Sequence, residues 1–375
     1  MLNHLHLRNF TVFADAEFKF SDGLNVIAGT NGTGKSHVLK LGYAVSRSSN
    51  RLGRDLIAKR ALAFSTGASS AITHSITPSP TKSDWQKVLA DDLKETFRPD
   101  SLGRLTRRAQ GRSRTEIEVS FVHSRKASID CSFSTNSKSE VVLEGETPSS
   151  YVVAASVFIP TKELLSLFPG LRELYDKFHL ALDITYPDLC DRLSVPLLRG
   201  PKSAQVTGQL AALETLLGGS VRNENGRFYL YQREGGRLEI DLVAEGIRKL
   251  ATVAFLLNNG SLNEQTTLFW DEPDANLNPA LLKHLAQLLL QLAGLGFQIV
   301  IATHSLFLLK EFHILSKQLT QPVRYFGLSA QPGEAVTVAT ADNLELLPDI
   351  VALDAELEQT DRFQRVLDRE DANHN

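Results

Sequence analysis

Residues 29–36 have the sequence G-T-N-G-T-G-K-S, which satisfies the pattern G-x-x-x-x-G-K-[ST] of a phosphate-binding P-loop. The apolar run 24–28 predicts the strand that feeds such a loop, and the following residues predict a helix. In a P-loop the glycines turn backbone N–H groups towards the phosphates, the lysine reaches the β and γ oxygens, and the hydroxyl holds Mg²⁺. A glycine-rich turn is the alternative interpretation. The predicted nucleotide-binding residues are Gly29, Thr30, Asn31, Gly32, Thr33, Gly34, Lys35, Ser36 and His37, with Ser36 also a ligand of Mg²⁺.

A pair of acidic residues follows a second buried strand in the last third of the chain. The apolar run 266–270 ends in Asp271 and Glu272, and a further strand at 297–302 leads to His304. Ligands of open α/β sheets bind at the carboxyl ends of the strands, so we expect Asp271 to hold Mg²⁺ and Glu272 to polarise the attacking water. Acids that merely solubilise a strand end are the alternative. The predicted catalytic residues are Glu272, His304 and Lys35.

The order of these motifs resembles the ATP-binding-cassette (ABC) ATPases of the RecF, SMC and OLD branch. The likeness rests on the P-loop, on D-E-P-D-A-N-L-N-P at 271–279, on I-A-T-H-S at 301–305 and on an aromatic-rich amino end. It implies an α/β ATPase head with a mixed, largely parallel sheet, an amino-terminal antiparallel layer, a compact helical insertion, and ATP with Mg²⁺ as cofactors. It also implies that Asp271 and Glu272 are the Walker B pair, that Asn276 lies in a loop contacting a second subunit, and that His304 senses the γ-phosphate.

ATPases of this branch complete each site with a signature segment from a second subunit. The candidate is A-E-G-I-R-K at 244–249, which opens an apolar helix whose free N–H groups could bind a phosphate. The form L-S-G-G-Q is absent, so a plain capped helix is the alternative. For the Q-loop, where no convincing glutamine is found, Lys162 or Glu163 is the candidate. The residues assigned to the partner's ATP are Ala244, Glu245, Gly246, Lys249 and Asn276, with Arg248 as a further possible cation.

The distribution of charge is uneven, although the formal net charge is only −3. Residues 43–114 carry 14 Lys and Arg against 6 Asp and Glu, a net of +8, whereas residues 341–375 carry 3 against 10, a net of −7. The basic stretch could face the phosphates of double-stranded DNA, and a solvated helix and turn is the alternative. The arginines singled out for this role are Arg104, Arg107, Arg108, Arg112 and Arg114.

Four regions are expected along the chain. Residues 1–160 would form the amino-terminal half of the ATPase head, with a flexible basic insertion at about 43–114 and a Ser-, Thr- and Pro-rich loop at 61–83. Residues 161–220 would form a helical lobe, 221–340 the carboxyl-terminal half of the head, and 341–375 an acidic tail. The segment between Ser36 and Glu245 contains no sustained heptads, which argues against long coiled-coil arms.

Composition excludes several classes of protein. No stretch approaches the roughly 18 apolar residues of a membrane span, and the start of the chain is no signal peptide. The two cysteines, Cys131 and Cys190, are far apart and lack metal-ligand spacing, which predicts reduced thiols and no structural zinc. We therefore expect a cytoplasmic protein without a membrane partner.

The function predicted from these observations is an ATPase without its own effector. Only 71 residues follow His304, and they contain no acidic nuclease site. The resemblance implies a homodimer or larger homo-oligomer that acts as a nucleotide-driven switch in an anti-phage defence system, with a separate nuclease or toxin as effector. A RecF-like DNA-binding ATPase of repair or recombination is the alternative. A scaffold that holds a toxin inactive is a third hypothesis.

Overall fold

The computed structural model describes residues 1–65, 79–108, 111–122, 124–152, 154–200, 202–331, 333–347 and 358–367. In this part of the chain, three β-sheets and the helices packed against them form an α/β fold. The strands are β1 Leu2–Phe10, β2 Phe13–Lys19, β3 Leu24–Gly29, β4 Arg114–Phe121, β5 Ser124–Ser134, β6 Val142–Leu143, β7 Val157–Ile159, β8 Gly219–Glu224, β9 Arg227–Gln232, β10 Arg237–Glu239, β11 Thr267–Asp271, β12 Gln298–Thr303, β13 Val323–Ser329 and β14 Thr337–Ala341. The α-helices are α1 Lys35–Ser65, α2 Lys82–Phe97, α3 Leu171–Phe178, α4 Thr185–Leu193, α5 Ala204–Leu217, α6 Glu245–Asn258, α7 Pro279–Gly294, α8 Leu306–Leu319 and α9 358–367.

The central sheet has six strands in the order β14–β13–β3–β12–β11–β7. All neighbouring pairs are parallel except β13 with the edge strand β14. Strands β3, β11 and β12 are buried along their whole length, as expected where both faces of a parallel sheet are covered. The register pairs Asp271 with Ala302 and Thr303 with Ala28. The carboxyl ends of the three strands therefore meet at one edge of the sheet.

The amino-terminal layer is an antiparallel sheet in the order β2–β1–β4–β5–β6. Along β1 the side chains alternate, so that Leu5 and Leu7 are buried while His4 and His6 bond to carboxylates of β2 on the other face. The buried face packs on α1 and α2. The predicted antiparallel layer and mixed, largely parallel sheet are thus confirmed.

The prediction of a flexible basic insertion is wrong for most of its described part. The insertion was expected over 43–114, with a loop over 61–83, but α1 continues to Ser65 and α2 begins at Lys82. Residues 66–78 of the predicted loop lie outside the described residues. The basic segment is therefore built largely on two helices that pack on each other beside the antiparallel layer.

Serines conceal the helical pattern of α1 in the sequence. They interrupt the apolar positions that face the sheet, yet they are buried, because their hydroxyls bond to carbonyls one turn earlier. Ser46 Oγ donates to Gly42 O at 2.7 Å, and Ser48 Oγ donates to Ala44 O at 3.0 Å. Satisfied in this way, a hydroxyl side chain can occupy a core position of a helix.

Helix α2 begins with a capping box inside the stretch that we expected to be a loop. The Thr81 side chain accepts from the Asp84 N–H, and the Asp84 carboxylate accepts from the Thr81 N–H. Trp85 follows within the first turn, is fully buried, and stacks on Tyr151 with ring centroids 5.9 Å apart. This pairing anchors α2 to the segment between β6 and β7.

The middle of the chain is only partly as predicted. Helices α3, α4 and α5 form there, but the leucines at 164–167 lie in turns, although they were expected to be helical. A buried carboxylate causes the difference, because Glu163 accepts from the backbone N–H groups of Leu165 and Ser166 and so closes a local turn. The antiparallel three-stranded sheet β10–β9–β8 follows.

The segment between Ser36 and Glu245 forms no long coiled-coil arm in its described part, in agreement with its lack of heptads. Helix α1, with 31 residues, is the longest helix in the described ranges, and it packs along α2 instead of projecting. The described part of the acidic tail includes α9, while 348–357 and 368–375 lie outside the described residues. Within the part of the chain that the structure describes, none of the helices combines the length and hydrophobicity needed to cross a lipid bilayer.

Candidate nucleotide-binding site

The loop at 29–36 connects β3 to α1 and has the backbone that its glycines permit. Gly32 and Gly34 have φ of +83° and +88°, which residues with a Cβ rarely adopt. Gly29 has no room for a side chain, since a Cβ would lie 2.6 Å from the carbonyl oxygen of Leu328 on β13. The loop is therefore fixed between two strands at the carboxyl edge of the sheet. The other predicted loop residues, Thr30, Asn31 and Thr33, lie in the same turn.

The ammonium group of Lys35 lies across this loop. Its Nζ donates to the carbonyl oxygens of Gly29 at 2.9 Å and Thr30 at 3.0 Å. Burial lowers the pKa of Lys35, an effect that Glu272 and Asp271 oppose. The loop thus holds a partly desolvated cation where a phosphate group would need one.

The hydroxyl of Ser36 connects the loop to the acidic pair. Ser36 Oγ donates to Asp271 Oδ1 at 3.0 Å, although 235 residues separate them in the chain. Burial raises the pKa of the Asp271 carboxyl, and Glu272 raises it further, while the Ser36 hydrogen bond lowers it. A hydroxyl and a desolvated carboxylate are the oxygen donors that Mg²⁺ takes alongside phosphates. In the described ranges no group of three or more His, Cys, Asp or Glu could hold a metal ion.

Glu272 and His304 lie together beside the buried aspartate. His304 Nδ1 is 3.7 Å from Glu272 Oε1, and the two side chains are 46% and 29% exposed. Glu272 has φ +47°, a left-handed conformation that is uncommon for a side chain of this kind. Its N–H donates to Ala302 O at 2.9 Å, which ties this unusual backbone to β12. The geometry places a partly exposed carboxylate beside Asp271, within reach of water.

Hydrogen bonds to β12 and to the start of α7 hold the loop after Glu272. Thr303 Oγ1 donates to the buried Asp274 Oδ1 at 2.6 Å, and Asn278 caps α7 by accepting from the Leu281 N–H. Asn276, which we predicted to meet a second subunit, is exposed and has φ +66°. The loop therefore presents Asn276 outwards on a fixed base.

The candidate signature segment at 244–249 rests on this same loop. Ala244 precedes α6 without a side-chain cap, and Glu245 and Gly246 form the first turn of the helix. A Cβ on Gly246 would lie 2.7 Å from the carbonyl oxygen of Asn276, so the helix and the loop are in close contact. Two regions expected to face a partner's nucleotide thus form one surface.

Arg248 and Lys249, the two basic residues of the segment, point into the protein and not outwards, which differs from the prediction. Lys249 is 2% exposed and its Nζ donates to Glu272 O at 3.3 Å. Arg248 Nε lies 2.8 Å from Glu163 Oε2, and the Glu163 side chain is also 2% exposed. The assignment of Lys249 to a partner's ATP is therefore wrong in this arrangement, because both cations are committed to carboxylate and carbonyl oxygens of their own chain. For the same reason Glu163 has no free carboxylate to serve as a Q-loop residue.

His37 also points away from the phosphate cradle. Its Nδ1 lies 3.0 Å from Thr11 Oγ1 and its ring meets Phe97 edge-on. Burial lowers its pKa, and Lys40 adds to that effect. The backbone N–H of His37, not its side chain, is the group available to a phosphate.

Two polar residues near the acidic pair were missed in the sequence. Tyr186 on α4 hydrogen-bonds the backbone of Lys162, and burial, with Asp183 and Asp271 nearby, raises its pKa to about 12. Lys40 Nζ donates to Asp183 Oδ2 at 2.8 Å and ties α4 to α1. Neither residue belongs to a motif. Lys40 reaches the site on α1, whereas the packing of α4 brings Tyr186 there.

The five arginines of the basic stretch differ in their bonding partners and in their exposure. Arg114 is on β4, where its guanidinium bonds to Glu144 and Ser132. Arg104 is 59% exposed and lies 4.0 Å from Asp100. The remaining three, Arg107, Arg108 and Arg112, lie at the surface between the turn at 102–105 and β4.

Comparison with known proteins places the chain in a family. The family model described as "AAA domain, putative AbiEii toxin, Type IV TA system" matches residues 24–310, which include the P-loop, the acidic pair and His304. The chain belongs to this AAA_21 family. No curated protein matches the chain.

Solved structures similar to this AAA_21 protein are SMC head domains. An SMC head bound to the C-winged helix domain of ScpA aligns with a TM-score of 0.53 at 16% identity, covering 92% of this chain and 98% of that chain. A Pyrococcus furiosus SMC head with an extended coiled coil, bound to the C-terminal domain of ScpA, gives 0.49 at 12% identity, covering 97% and 99%. The SMC head domain from Thermotoga maritima gives 0.44 at 14% identity, covering 91% and 98%. The first likeness shows that the chain has the fold of an SMC head domain.

Proposed function

We propose that this AAA_21 protein is an ATP-hydrolysing switch in which two copies close on two molecules of ATP and Mg²⁺. The observation that carries the proposal is the hydrogen bond from Ser36 on the P-loop to Asp271 on β11. It brings a phosphate-binding loop and a desolvated carboxylate to one edge of a parallel sheet, the usual position of a nucleotide and its metal.

The residues present fit Mg²⁺ and a triphosphate. Ser36 and Asp271 would hold the metal, which when bound neutralises charge on the phosphate oxygens. Lys35 would place its ammonium on the same oxygens, and backbone N–H groups of the loop would bind the rest. Glu272 would orient and polarise water, while His304, 3.7 Å away, would hold the carboxylate or the γ-phosphate in place.

Closure by a second copy is supported by the joint surface of the signature segment and the loop at 272–278. Gly246 and Asn276 are in contact there, and the helix start offers backbone N–H groups without a side-chain cap. These groups bind an anion only if one is delivered to them, and a second copy's P-loop would deliver it.

The proposal is tested by ATP turnover and by mass in solution. The parent chain should hydrolyse ATP in the presence of Mg²⁺, and Lys35→Ala should abolish turnover. Glu272→Gln should bind ATP, hydrolyse it at least about 100-fold more slowly, and accumulate as an ATP-dependent dimer. Turnover at the parent rate in Glu272→Gln would remove the assigned role of this carboxylate. A protein that stays monomeric with ATP would contradict the switch.

The biological role that we propose is control of a separate effector protein, a nuclease or toxin, in defence against phage. The family description connects this family with toxin–antitoxin pairs, since it names a putative toxin and a type IV toxin–antitoxin system. Co-expression with the neighbouring gene products, followed by purification with and without ATP, tests this. A partner that is retained or released according to nucleotide supports it. Turnover that rises several-fold with double-stranded DNA and no protein partner would favour the RecF-like alternative.

A further inference from the structure

Lys249 is a fully buried cation that the proposed reaction does not use. It is among the largest side chains with almost no exposed surface, and its ammonium donates to the main-chain carbonyl of Glu272 at 3.3 Å. Burying an ammonium group is costly unless it is paired and hydrogen-bonded. Burial lowers the pKa of Lys249, and the negative charges of Glu245, Asp274, Glu272 and Glu163 oppose that effect. The desolvation of Lys249 is unfavourable, and its ammonium contacts the backbone of Glu272, the residue proposed to polarise water. We therefore asked what this contact does.

The backbone that Lys249 contacts is unusual. Glu272 is held at φ +47°, a conformation that is unfavourable for a residue with a side chain and persists only when its surroundings enforce it. Three hydrogen bonds hold it here. The N–H of Glu272 donates to Ala302 O on β12, and the Glu272 carbonyl accepts from the Ala275 N–H at 3.2 Å within its own loop and from Lys249 Nζ on α6. The direction of the Glu272 carboxylate follows from this backbone, because φ determines where the side chain leaves the main chain.

Helix α6 has two further attachments close to the same point. Gly246 lies against the carbonyl of Asn276, and Arg248 forms an ion pair with the buried Glu163 beyond the end of β7. The first turn of α6 is thus connected to the loop after Glu272, to the exit of β7 and to Glu272 itself. A displacement of α6 changes all three contacts at once.

We infer that Lys249 is a positioning residue that holds the backbone of Glu272 from the signature helix of the same chain. When α6 of one copy docks on its partner's nucleotide, Lys249 transmits the resulting shift to the Glu272 carboxylate of its own site. The inference rests on the proposed function, since it requires hydrolysis at Glu272 and docking by a second copy. It assigns Lys249 a role inside the chain instead of on the partner's phosphate.

The test is Lys249→Met, which keeps a long side chain and removes the charge and the donor. We expect kcat to fall by about 10- to 100-fold, because small misplacement of a catalytic group has effects of that size. The KM for ATP and the affinity for a fluorescent ATP analogue should stay within about twofold, since Lys249 does not touch the P-loop. Lys249→Arg retains a donor and should recover most of kcat. Lys283→Met, on the exposed side of α7, is the matched control and should behave as the parent.

A second measurement separates positioning from contact with a partner's nucleotide. Glu272→Gln and the double variant Glu272→Gln with Lys249→Met are compared for ATP-dependent dimer mass. Equal dimerisation supports the positioning role, because the double variant lacks only a contact within the chain. Loss of the dimer, or a raised KM with unchanged kcat, would overturn it in favour of a contact between subunits.

The remaining outcomes distinguish the inference from the proposed function. A parent chain without Lys35-dependent turnover would refute the proposed function and the inference with it. Normal parent turnover together with an unaffected Lys249→Met would refute the inference alone. If Lys249→Met does not fold, Lys249→Gln and Lys249→Arg make the same comparison, because the first loses the cation and the second keeps it.

Discussion

Gly246 gives the sharpest prediction about how the site is assembled. It lies in the first turn of α6, where a Cβ would be 2.7 Å from the Asn276 carbonyl oxygen and 2.8 Å from Leu277 Cδ2. Real Cβ atoms do not approach a backbone oxygen this closely, so Gly246→Ala must push α6 and the loop apart. The leucine could rotate away, but the carbonyl is backbone and has to move with its loop.

The expected free-energy change combines two opposing effects. Alanine favours a helix over glycine by up to about 1 kcal/mol, while overpacking at a tight contact costs about 1–3 kcal/mol. We therefore expect Gly246→Ala to lower the free energy of unfolding by about 1–2 kcal/mol. A separation of less than 1 Å should also reduce ATP turnover by at least about tenfold, because the loop that moves begins at Glu272.

A second helical glycine supplies the control. Gly208 on α5 is exposed, and a Cβ there would meet nothing within 4 Å. Gly208→Ala should raise the free energy of unfolding by about 0.5–1 kcal/mol and leave turnover unchanged. Denaturant unfolding and ATP turnover are measured on the parent and on both variants. A Gly246→Ala protein as stable and as active as Gly208→Ala would refute the close contact of α6 with the loop.

Three further variants test the site. Burial raises the pKa of Asp271, so without Mg²⁺ the ionised carboxylate lowers the free energy of unfolding above that pKa. Asp271→Asn should therefore resist denaturant better than the parent at pH 7, and equally well at about pH 3, where the side chains of the variant and of the parent are both neutral. Its ATP turnover should fall at least about 100-fold. Ser36→Ala should weaken Mg²⁺-dependent ATP binding by about tenfold in titrations with an ATP analogue, with unchanged binding in EDTA. Glu163→Gln should lower the free energy of unfolding by about 1–3 kcal/mol in denaturant titrations, because Arg248 loses a buried partner.

The sequence predicted best what is local. The P-loop, the strand before it and the acidic pair are each encoded within a few neighbouring residues, and the structure brings them to one edge of the central sheet. Helix α7 is encoded just as locally, since its first-turn proline, Pro279, and its leucine period are local signals. The exit of β12 at His304 followed from the parallel topology.

Features that depend on burial of polar groups were missed. The serines of α1 read as breaks in an apolar pattern, and only their bonds to carbonyls of the previous turn show why they belong to the core. Glu163 was considered only as a candidate for the Q-loop, yet its carboxylate closes a local turn and pairs with Arg248. In each case the partner is a backbone group or a distant residue, and a single sequence does not specify it.

The misplacement of Lys249 has a different origin, because the chain did contain a signal. The segment at 244–249 was interpreted as an isolated anion-binding motif, so its cations were assigned to a phosphate. This segment is, however, the start of a helix. On that helix Lys249 shares a face with Val253 and Leu256, four and seven residues later, and both are fully buried. Helical spacing therefore directs Lys249 into the protein, towards the sheet edge where Glu272 lies. A cation on the buried face of an apolar helix needs an oxygen inside the fold, and at this position the nearest backbone to supply one is that of the residue proposed to activate water.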